Sequence, residues 1–166
     1  MSDIKTLTDN EAIKKIKELA EGNVCMFCTY EDYKMISRPM ATSGIDDNGT
    51  IWFFSKKSSD KNDQLEHNQQ VDLVYMDTGK QHYLVLNGHA DIVYNEAKAR
   101  KLWTSLNKAW FEKGLDDPEL TMIKVIPSEG HYWDTKNGKL ISMIKIAVAA
   151  VTGKEMDGSI EGDVLP

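Results

Sequence analysis

Short runs of alternating apolar and polar residues fill most of the chain between residues 24 and 146, and they predict β-strands. Turn residues separate the runs, most clearly in Asp46-Asp47-Asn48-Gly49. Strands that alternate in this way and follow one another through short turns favour an antiparallel sheet with one buried face. The predicted strands are 24–30, 35–43, 50–55, 71–76, 82–94, 121–126 together with 131–134, and 140–146.

Three segments have the three- and four-residue spacing of apolar residues, or the capping residues, that are typical of helices. The first opens with a predicted capping box, Thr8 with Glu11, and should end at Gly22. The second is short and spans 60–67. The third spans 96–111 and carries an apolar stripe that is typical of core or of a dimer contact. The stripe consists of Ala99, Leu102, Trp103, Leu106 and Trp110.

The order of these elements predicts the fold and the bounds of the domain. Pro127 should interrupt the strand ladder between 121–126 and 131–134, because proline cannot donate a ladder hydrogen bond. Hairpin-linked strands, about six or seven in number, close well into a small barrel. We therefore expect one domain at residues 1–152, mainly β with helices, followed by an acidic and flexible tail at 153–166.

Composition narrows the expected partners and location. The formal net charge of −6 argues against nucleic acid or an anionic membrane surface as the main partner. No apolar run reaches the roughly 20 residues of a membrane helix, and the first residues lack the apolar region of a signal peptide. We therefore expect a cytoplasmic protein. The segment from Lys56 to Lys61 is a local basic exception in this acidic chain.

The two cysteines, Cys25 and Cys28, form a Cys-x-x-Cys arrangement that is compatible with a redox pair or half of a zinc site. On a strand, a spacing of three puts the two side chains on opposite faces. The sequence has no second cysteine pair to complete a metal site, and His82, His89 and His131 show no ligand spacing. Two buried strand residues are the favoured interpretation, and no metal site is predicted.

The strand predicted at 50–55 ends in a cluster of hydroxyl and ammonium groups that suits a phosphate. If Ser58 or Ser59 caps the helix at 60–67, the helix start adds unsatisfied backbone N–H groups to this cluster. The alternative is a solvated, lysine-rich loop, which the residues alone favour. The cluster consists of Ser55, Lys56, Lys57, Ser58, Ser59 and Lys61.

Three short motifs carry a resemblance to a known family: Arg38-Pro39-Met40, Trp52-Phe53-Phe54-Ser55, and Ser59-Asp60-Lys61 followed by Leu65. In order and spacing they resemble the FMN-binding split-barrel proteins, which include pyridoxamine 5'-phosphate oxidase. The chain is most similar to the general stress protein 26 branch of that group, from about residue 13 to residue 146. The resemblance implies a split β-barrel that forms a homodimer and binds FMN between its subunits.

The resemblance also implies roles for particular residues. Ser59 and Lys61 match the family's phosphate clamp, and Asp60 stands where the family has an arginine, so we expect Asp60 to turn away toward the helix start. Arg38 is the other cation expected at the cofactor, and Trp133 matches a tryptophan supplied by the partner subunit. The full implied set of cofactor-binding residues is Arg38, Pro39, Met40, Ala41, Phe54, Ser55, Ser59, Lys61, Tyr83 and Trp133.

One departure from the family bears on the reaction. Pyridoxamine phosphate oxidases carry Arg-x-His after the matching tryptophan, whereas this chain has Lys139-Leu140-Ile141. Lysine does not reproduce the bidentate grip of arginine, and isoleucine cannot donate a hydrogen bond, so oxidation of B6 phosphates is not expected. We expect instead an FMN-dependent oxidoreductase that acts with a small-molecule electron donor or acceptor.

Three other functions remain open at the level of sequence. The first is a non-catalytic flavin carrier or sensor, because no acid–base residue stands out. The second is the same barrel holding haem or a deazaflavin, although haem would call for an axial ligand such as histidine. The third is a dimeric structural domain whose lysine-rich loop is ordinary surface. Binding of flavins separates the first from the other two.

Overall fold

One mostly antiparallel sheet carries the fold in a computed structural model, which describes residues 3–4, 6–135 and 159–166. The strands are β1 (Asp3–Ile4), β2 (Leu7–Thr8), β3 (Val24–Glu31), β4 (Lys34–Ala41), β5 (Gly44–Ile45), β6 (Ile51–Lys56), β7 (Gln70–Asp77), β8 (His82–Val93), β9 (Leu120–Thr135) and β10 (Ser159–Leu165). The helices are α1 (Asp9–Ala20), α2 (Asp60–His67) and α3 (Glu96–Leu102), with two short 3-10 helices at Ser105–Ala109 and Gly114–Asp116. None of these helices is long and apolar enough to cross a membrane.

The long strand β9 divides the sheet into two parts. Its first half, from Leu120 to Val125, pairs with β6, and its second half, from Gly130 to Thr135, pairs with β10. On its other edge β9 pairs with β8, and the order continues through β7 and β3 to β4. These pairings are antiparallel, whereas β1 and β2 run parallel to β10. The described strands do not close into a continuous ring, and they confirm the predicted mainly β, split-barrel fold class.

The hydrophobic core lies on the inner face of the sheet, under α1. Phe27 and Phe53 meet edge to face there, with ring centroids 5.2 Å apart. α1 buries Ile16 and Leu19 against this core, as its apolar spacing predicts, and each such side chain contributes about 1.5–3 kcal/mol. The predicted capping box is wrong, since Thr8 makes no side-chain cap hydrogen bond to this helix.

The third helix is shorter than its apolar stripe predicts. α3 ends at Leu102 because Thr104 starts a separate 3-10 helix. There the backbone N–H and the hydroxyl of Thr104 both donate to Asn107 Oδ1, at 2.8 and 3.0 Å. This local bonding competes with continuation of the helix. Beyond the break Leu106 and Trp110 are exposed to solvent, so only the first part of the stripe packs on the sheet.

β9 runs through Pro127 instead of breaking there. A β-bulge places Gly88 of β8 opposite Pro127 and Asn87 opposite Glu129. Ser128 is therefore left out of the pairing, and its hydroxyl donates to the Asn87 carbonyl at 3.2 Å. The predicted break is wrong because the bulge removes the need for the ladder hydrogen bond that proline cannot donate.

The end of the chain differs from the flexible tail expected at 153–166. Ser159–Leu165 form β10, which pairs with β9 and buries Val164 completely. A strand edge beside β9 supplies the backbone partners and the apolar contact that the tail cannot find alone. The predicted turn Asn137-Gly138, the predicted strand at 140–146 and the expected domain boundary after residue 152 lie outside the described residues.

Candidate functional site

A buried hydroxyl–amide network holds the start of α2 in place. Asn62, only 2% exposed, accepts a 2.6 Å hydrogen bond from Ser55 Oγ and donates to Thr121 Oγ1 at 3.1 Å. Ser59, which precedes α2, donates its hydroxyl to the Lys56 carbonyl at 2.7 Å and does not cap the helix. The network fastens α2 to β6 and β9. It leaves the first two N–H groups of α2 without a side-chain acceptor among the described residues.

Arg38 of β4 lies next to α2 and is held by neutral acceptors. Its Nη1 donates to Thr29 Oγ1 at 2.7 Å and to the Phe27 carbonyl at 3.3 Å, and its Nη2 donates to Gln64 Oε1 at 2.8 Å. Burial lowers the pKa of Arg38, and the nearby charge of Asp60 only partly opposes this. In the part of the chain that the structure describes, no carboxylate forms an ion pair with this guanidinium.

Lys61, in the first turn of α2, is a second partly buried cation close to Arg38. Burial lowers the pKa of the Lys61 ammonium and the charge of Arg38 lowers it further, against the opposite effect of Asp60. Lys61 has neither an ion pair nor a side-chain hydrogen bond within the described ranges. Arg38 and Lys61, called the cation pair below, thus repel each other with little compensation, an arrangement that favours a bound anion.

The other polar and charged residues between Lys56 and Asp60 contribute less to this site. The backbone N–H and the hydroxyl of Ser58 both bind Glu119, and these bonds lower the pKa of the Glu119 carboxyl. Asp60 is exposed, and neither member of the cation pair forms an ion pair with it in the described structure. Lys56 and Lys57 are exposed to solvent. The anion site is therefore centred on the cation pair and not on the whole loop.

A second group of predicted residues lies on the outer face of the sheet, opposite the core. Tyr83 and Trp133 are paired across β8 and β9, and Pro39 lies opposite Met26 across β4 and β3. Ala41 is exposed on the same face of β4 as Pro39. Exposed large apolar side chains that share one face of a sheet are typical of an interface. Its exposed large apolar side chains are Val24, Met35, Met76 and Trp133.

The remaining predicted residues lie elsewhere. Met40 is buried in the core beneath β4. Phe54 packs against Trp103 and Phe111, with ring centroids 5.5 and 6.4 Å away, on the face of β6 that is opposite to Ser55. Because neighbouring residues of a strand face opposite sides, the side chains of Phe54 and Ser55 do not line one pocket. Within one chain, the predicted cofactor residues therefore fall into separate groups.

Sequence analysis missed a polar cluster around Asp134. The Asp134 carboxylate contacts His82 Nε2 at 2.8 Å, Lys15 Nζ at 2.9 Å and the Thr135 N–H at 2.6 Å. Burial alone would raise the pKa of Asp134, but the hydrogen bonds from Lys15 and Thr135 outweigh burial and hold it below its usual range. His82 also lines a cleft of about 270 Å³ between the end of α1 and the β7–β8 hairpin. No local pattern could reveal this cluster, since Lys15 and Asp134 are 119 residues apart.

The two cysteines are free and buried, as predicted. Cys25 lies in the core, and Cys28 lies in register with Asp72 of β7. Burial raises the pKa of the Cys25 thiol to about 12, which disfavours a reactive thiolate. The described residues contain no group of three or more side chains that could hold a metal ion.

Known proteins are similar to this chain over most of its length. A family model described as pyridoxamine 5'-phosphate oxidase like matches residues 11–157, which is more than half of the chain. The protein bli-3 of Neurospora crassa is 23% identical over 157 residues, which cover 87% of this chain and 75% of bli-3. The family-model match at residues 11–157 includes the segments that carry the cation pair and the outer face.

Solved structures share the fold. A protein described as general stress protein 26 from Jannaschia sp. CCS1 has a TM-score of 0.76 at 24% identity, covering 93% of this chain and 96% of that one. The general stress FMN/FAD binding protein of Xanthomonas citri has a TM-score of 0.64 at 24% identity, covering 74% of this chain and 87% of that one. At these identities the likeness establishes the architecture alone.

Proposed function

This chain belongs to the pyridoxamine 5'-phosphate oxidase-like family, and we propose that it is a flavoprotein that binds FMN and acts as an oxidoreductase of the general stress protein type. The flavin, when bound, supplies hydride or electron transfer, and the chain supplies binding and orientation. The electron donor or acceptor is a small molecule. The description of a similar structure as FMN/FAD binding supports a flavin in this fold.

The cation pair is the observation that carries the proposal. Arg38 and Lys61 are partly buried, lie close enough to depress the pKa of Lys61, and have no carboxylate partner among the described residues. The phosphate of FMN carries a charge of about −2 near neutral pH, which such a pair would neutralise. Each charge-assisted hydrogen bond to it would contribute about 1.5–3 kcal/mol. FMN and riboflavin differ by this phosphate only.

A homodimer is part of the proposal, because one chain does not bring the predicted cofactor residues together. The cation pair lies beside α2, whereas Tyr83 and Trp133 lie on the outer face of the sheet. That face exposes large apolar side chains in the single chain, with Val24 at 57% and Met76 at 61% exposure. A second copy packed on this face would bury it and would bring one chain's outer-face residues toward the other's cation pair.

A titration of the purified chain with FMN, FAD and riboflavin, followed by quenching of flavin fluorescence, tests this proposal. We expect FMN to bind at least about tenfold more tightly than riboflavin, because riboflavin lacks the phosphate that the cation pair would bind. Equal affinity for FMN and riboflavin would contradict a phosphate-reading site. Failure of all three flavins to bind would contradict the flavin proposal and favour haem, a deazaflavin or a structural role.

A turnover assay separates an oxidoreductase from a flavin carrier or sensor. The FMN-loaded protein is mixed in air with an excess of NADH or NADPH, and consumption of the nicotinamide is followed by its absorbance. Consumption of many equivalents per bound flavin, beyond a free-FMN control, supports catalysis. If neither NADH nor NADPH reduces a tightly bound flavin, a carrier or sensor function is favoured over nicotinamide-dependent catalysis.

A further inference from the structure

Arg38 is one of the two partly buried cations of the proposed phosphate site, and two buried residues hold its guanidinium. We propose that Thr29 and Gln64 are positioning residues that aim Arg38 at the phosphate of the bound nucleotide. This inference rests on the proposed function, because it assigns the support of the same anion site. Both residues are polar and almost fully inaccessible, with Thr29 at 0% and Gln64 at 6% exposure.

The contacts occupy one side of the guanidinium and leave the other side available. Thr29 Oγ1 and Gln64 Oε1 accept from Nη1 and Nη2, and the second Nη1 hydrogen faces the Phe27 carbonyl. The structure describes no acceptor for Nε–H or for the second Nη2–H. Arginine binds two oxygens of a phosphate through a fork of two parallel N–H groups, and Nε with Nη2 forms such a fork.

The two supports are also fixed to each other. The Thr29 hydroxyl lies 2.6 Å from Gln64 Oε1, so β3 and α2 hold the guanidinium jointly. An arginine that is held in its binding rotamer before the ligand arrives loses less conformational freedom on binding. Thr29 and Gln64 are neutral, so they fix the direction of the guanidinium without cancelling its charge.

The helix that positions Arg38 also supplies the second cation. Gln64 follows Lys61 by three residues on α2, and side chains with this spacing lie on one face of a helix. The buried Asn62 holds that turn of α2 to β6 and β9. The distance between the two cationic groups is therefore set by a helix that is itself fastened to the sheet, which suits recognition of one dianion.

The substitution Gln64→Glu tests the inference with little change of shape. The new carboxylate would form an ion pair with Arg38 and would compete with the phosphate for its charge. We expect FMN to bind at least about tenfold more weakly and riboflavin to change by less than about twofold. Asn10→Asp, at an exposed position in the first turn of α1, adds the same charge and should leave both affinities near those of the unaltered chain.

Thr29→Val is the second variant, since it keeps the side-chain shape and removes the hydroxyl. We expect it to weaken FMN by about three- to tenfold with riboflavin unchanged, because the guanidinium loses one of its two side-chain supports. The FMN-to-riboflavin affinity ratio is the readout, since a general structural defect would lower both affinities together.

The outcomes separate this inference from the proposed function. A preference for FMN in the unaltered chain that Gln64→Glu and Thr29→Val reduce would support the inference. The same preference, unchanged in both folded variants, would overturn the inference and leave the proposed FMN site standing. Absence of any preference in the unaltered chain would overturn both. If Gln64→Glu does not fold, Thr29→Val alone decides.

Discussion

Which charged and hydroxyl groups at the start of α2 are paired with other residues cannot be read from the sequence of that segment alone. The sequence suggested a phosphate site from a run of hydroxyls and lysines, yet Ser58 is bound to Glu119, and Ser55 is bound to Asn62. The partly buried charges belong to Arg38 and Lys61. At the residue scale, anion binding depends less on how many cations lie near a site than on which of those cations lack a carboxylate partner.

Lys61→Ala should weaken FMN by about 1–3 kcal/mol, because it removes a charge-assisted hydrogen bond to the phosphate. Riboflavin should lose little affinity. The exposed Lys57 is the matched control, and Lys57→Ala should change the FMN affinity by less than about 0.5 kcal/mol. Fluorescence titrations of both variants with both flavins give these values. An equal loss for FMN and riboflavin in Lys61→Ala would rule out a phosphate contact.

Asp134 gives a prediction for the dependence of stability on pH. Its pKa is held below the unfolded value of about 3.9, so its contribution is complete above that pH and is lost as pH falls through the lower folded pKa. Asp134→Asn should cost about 1–3 kcal/mol at pH 7, because Lys15 and His82 lose the charge they contact. The cost should shrink as pH falls from about 3.9 through the lower folded pKa.

Urea unfolding of the unaltered chain and of Asp134→Asn at pH 7 and below pH 3 measures this difference. Glu66→Gln is the control, because it removes a negative charge from an exposed position on α2. Its effect on the free energy of unfolding should stay within about 0.5 kcal/mol. A cost for Asp134→Asn that is the same at both pH values would contradict the charge-based explanation.

Strands and helices differ in how far their own residues determine where they begin and end. The strands β3, β4, β6, β7 and β8 begin and end within about two residues of the predicted bounds, because alternation with turn residues at both ends is a local signal. α3 stops early because Thr104 and Asn107 form a stronger local arrangement. β9 continues through Pro127 because β8 contributes a bulge. β10 pairs with the edge of β9 and with β1 and β2, partners that its own residues do not reveal.

Val164→Ala should destabilise the fold by about 1–3 kcal/mol, since Val164 is fully buried on β10 and its truncation leaves a cavity. Leu165→Ala is the neighbouring control, and because Leu165 is 42% exposed its cost should be smaller by at least about 1 kcal/mol. Chemical denaturation of the three proteins measures both values. A fully tolerated Val164→Ala would mean that β10 adds little to the stability of the sheet.

At the scale of the whole molecule, the outer face of the sheet carries four of the exposed large apolar side chains in the described part of the chain, Val24, Met35, Met76 and Trp133. Tyr83 and Trp133 lie on this face, whereas the cation pair lies beside α2. We propose above that a second copy covers the face and completes the cofactor site. Under this proposal, the predicted residues that one chain keeps apart would be shared between two chains.

Met76→Asp should convert the proposed homodimer into a monomer, because it places a charge on the apolar outer face. Leu106→Asp is the control, since Leu106 is 80% exposed in the 3-10 helix that follows α3 and does not belong to a strand of that face. Light scattering coupled to size exclusion gives the mass of each variant. FMN affinity should fall with the loss of the dimer. A monomeric unaltered chain, or a dimeric Met76→Asp, would contradict this interface.

The sequence by itself determined the strands with clear alternation, α1, α2 and the mainly β class, because hydrophobic period and turn chemistry act over a few residues. The split barrel came from the resemblance to a known family. It also pointed to Arg38 and Lys61 through their motifs. Only the tertiary structure decided which acceptors hold Arg38, that Asp134 joins Lys15 to His82, and that Phe54 and Ser55 face opposite sides. These contacts join residues that are far apart along the chain, and their free energies depend on burial, which exists only after the sheet has assembled.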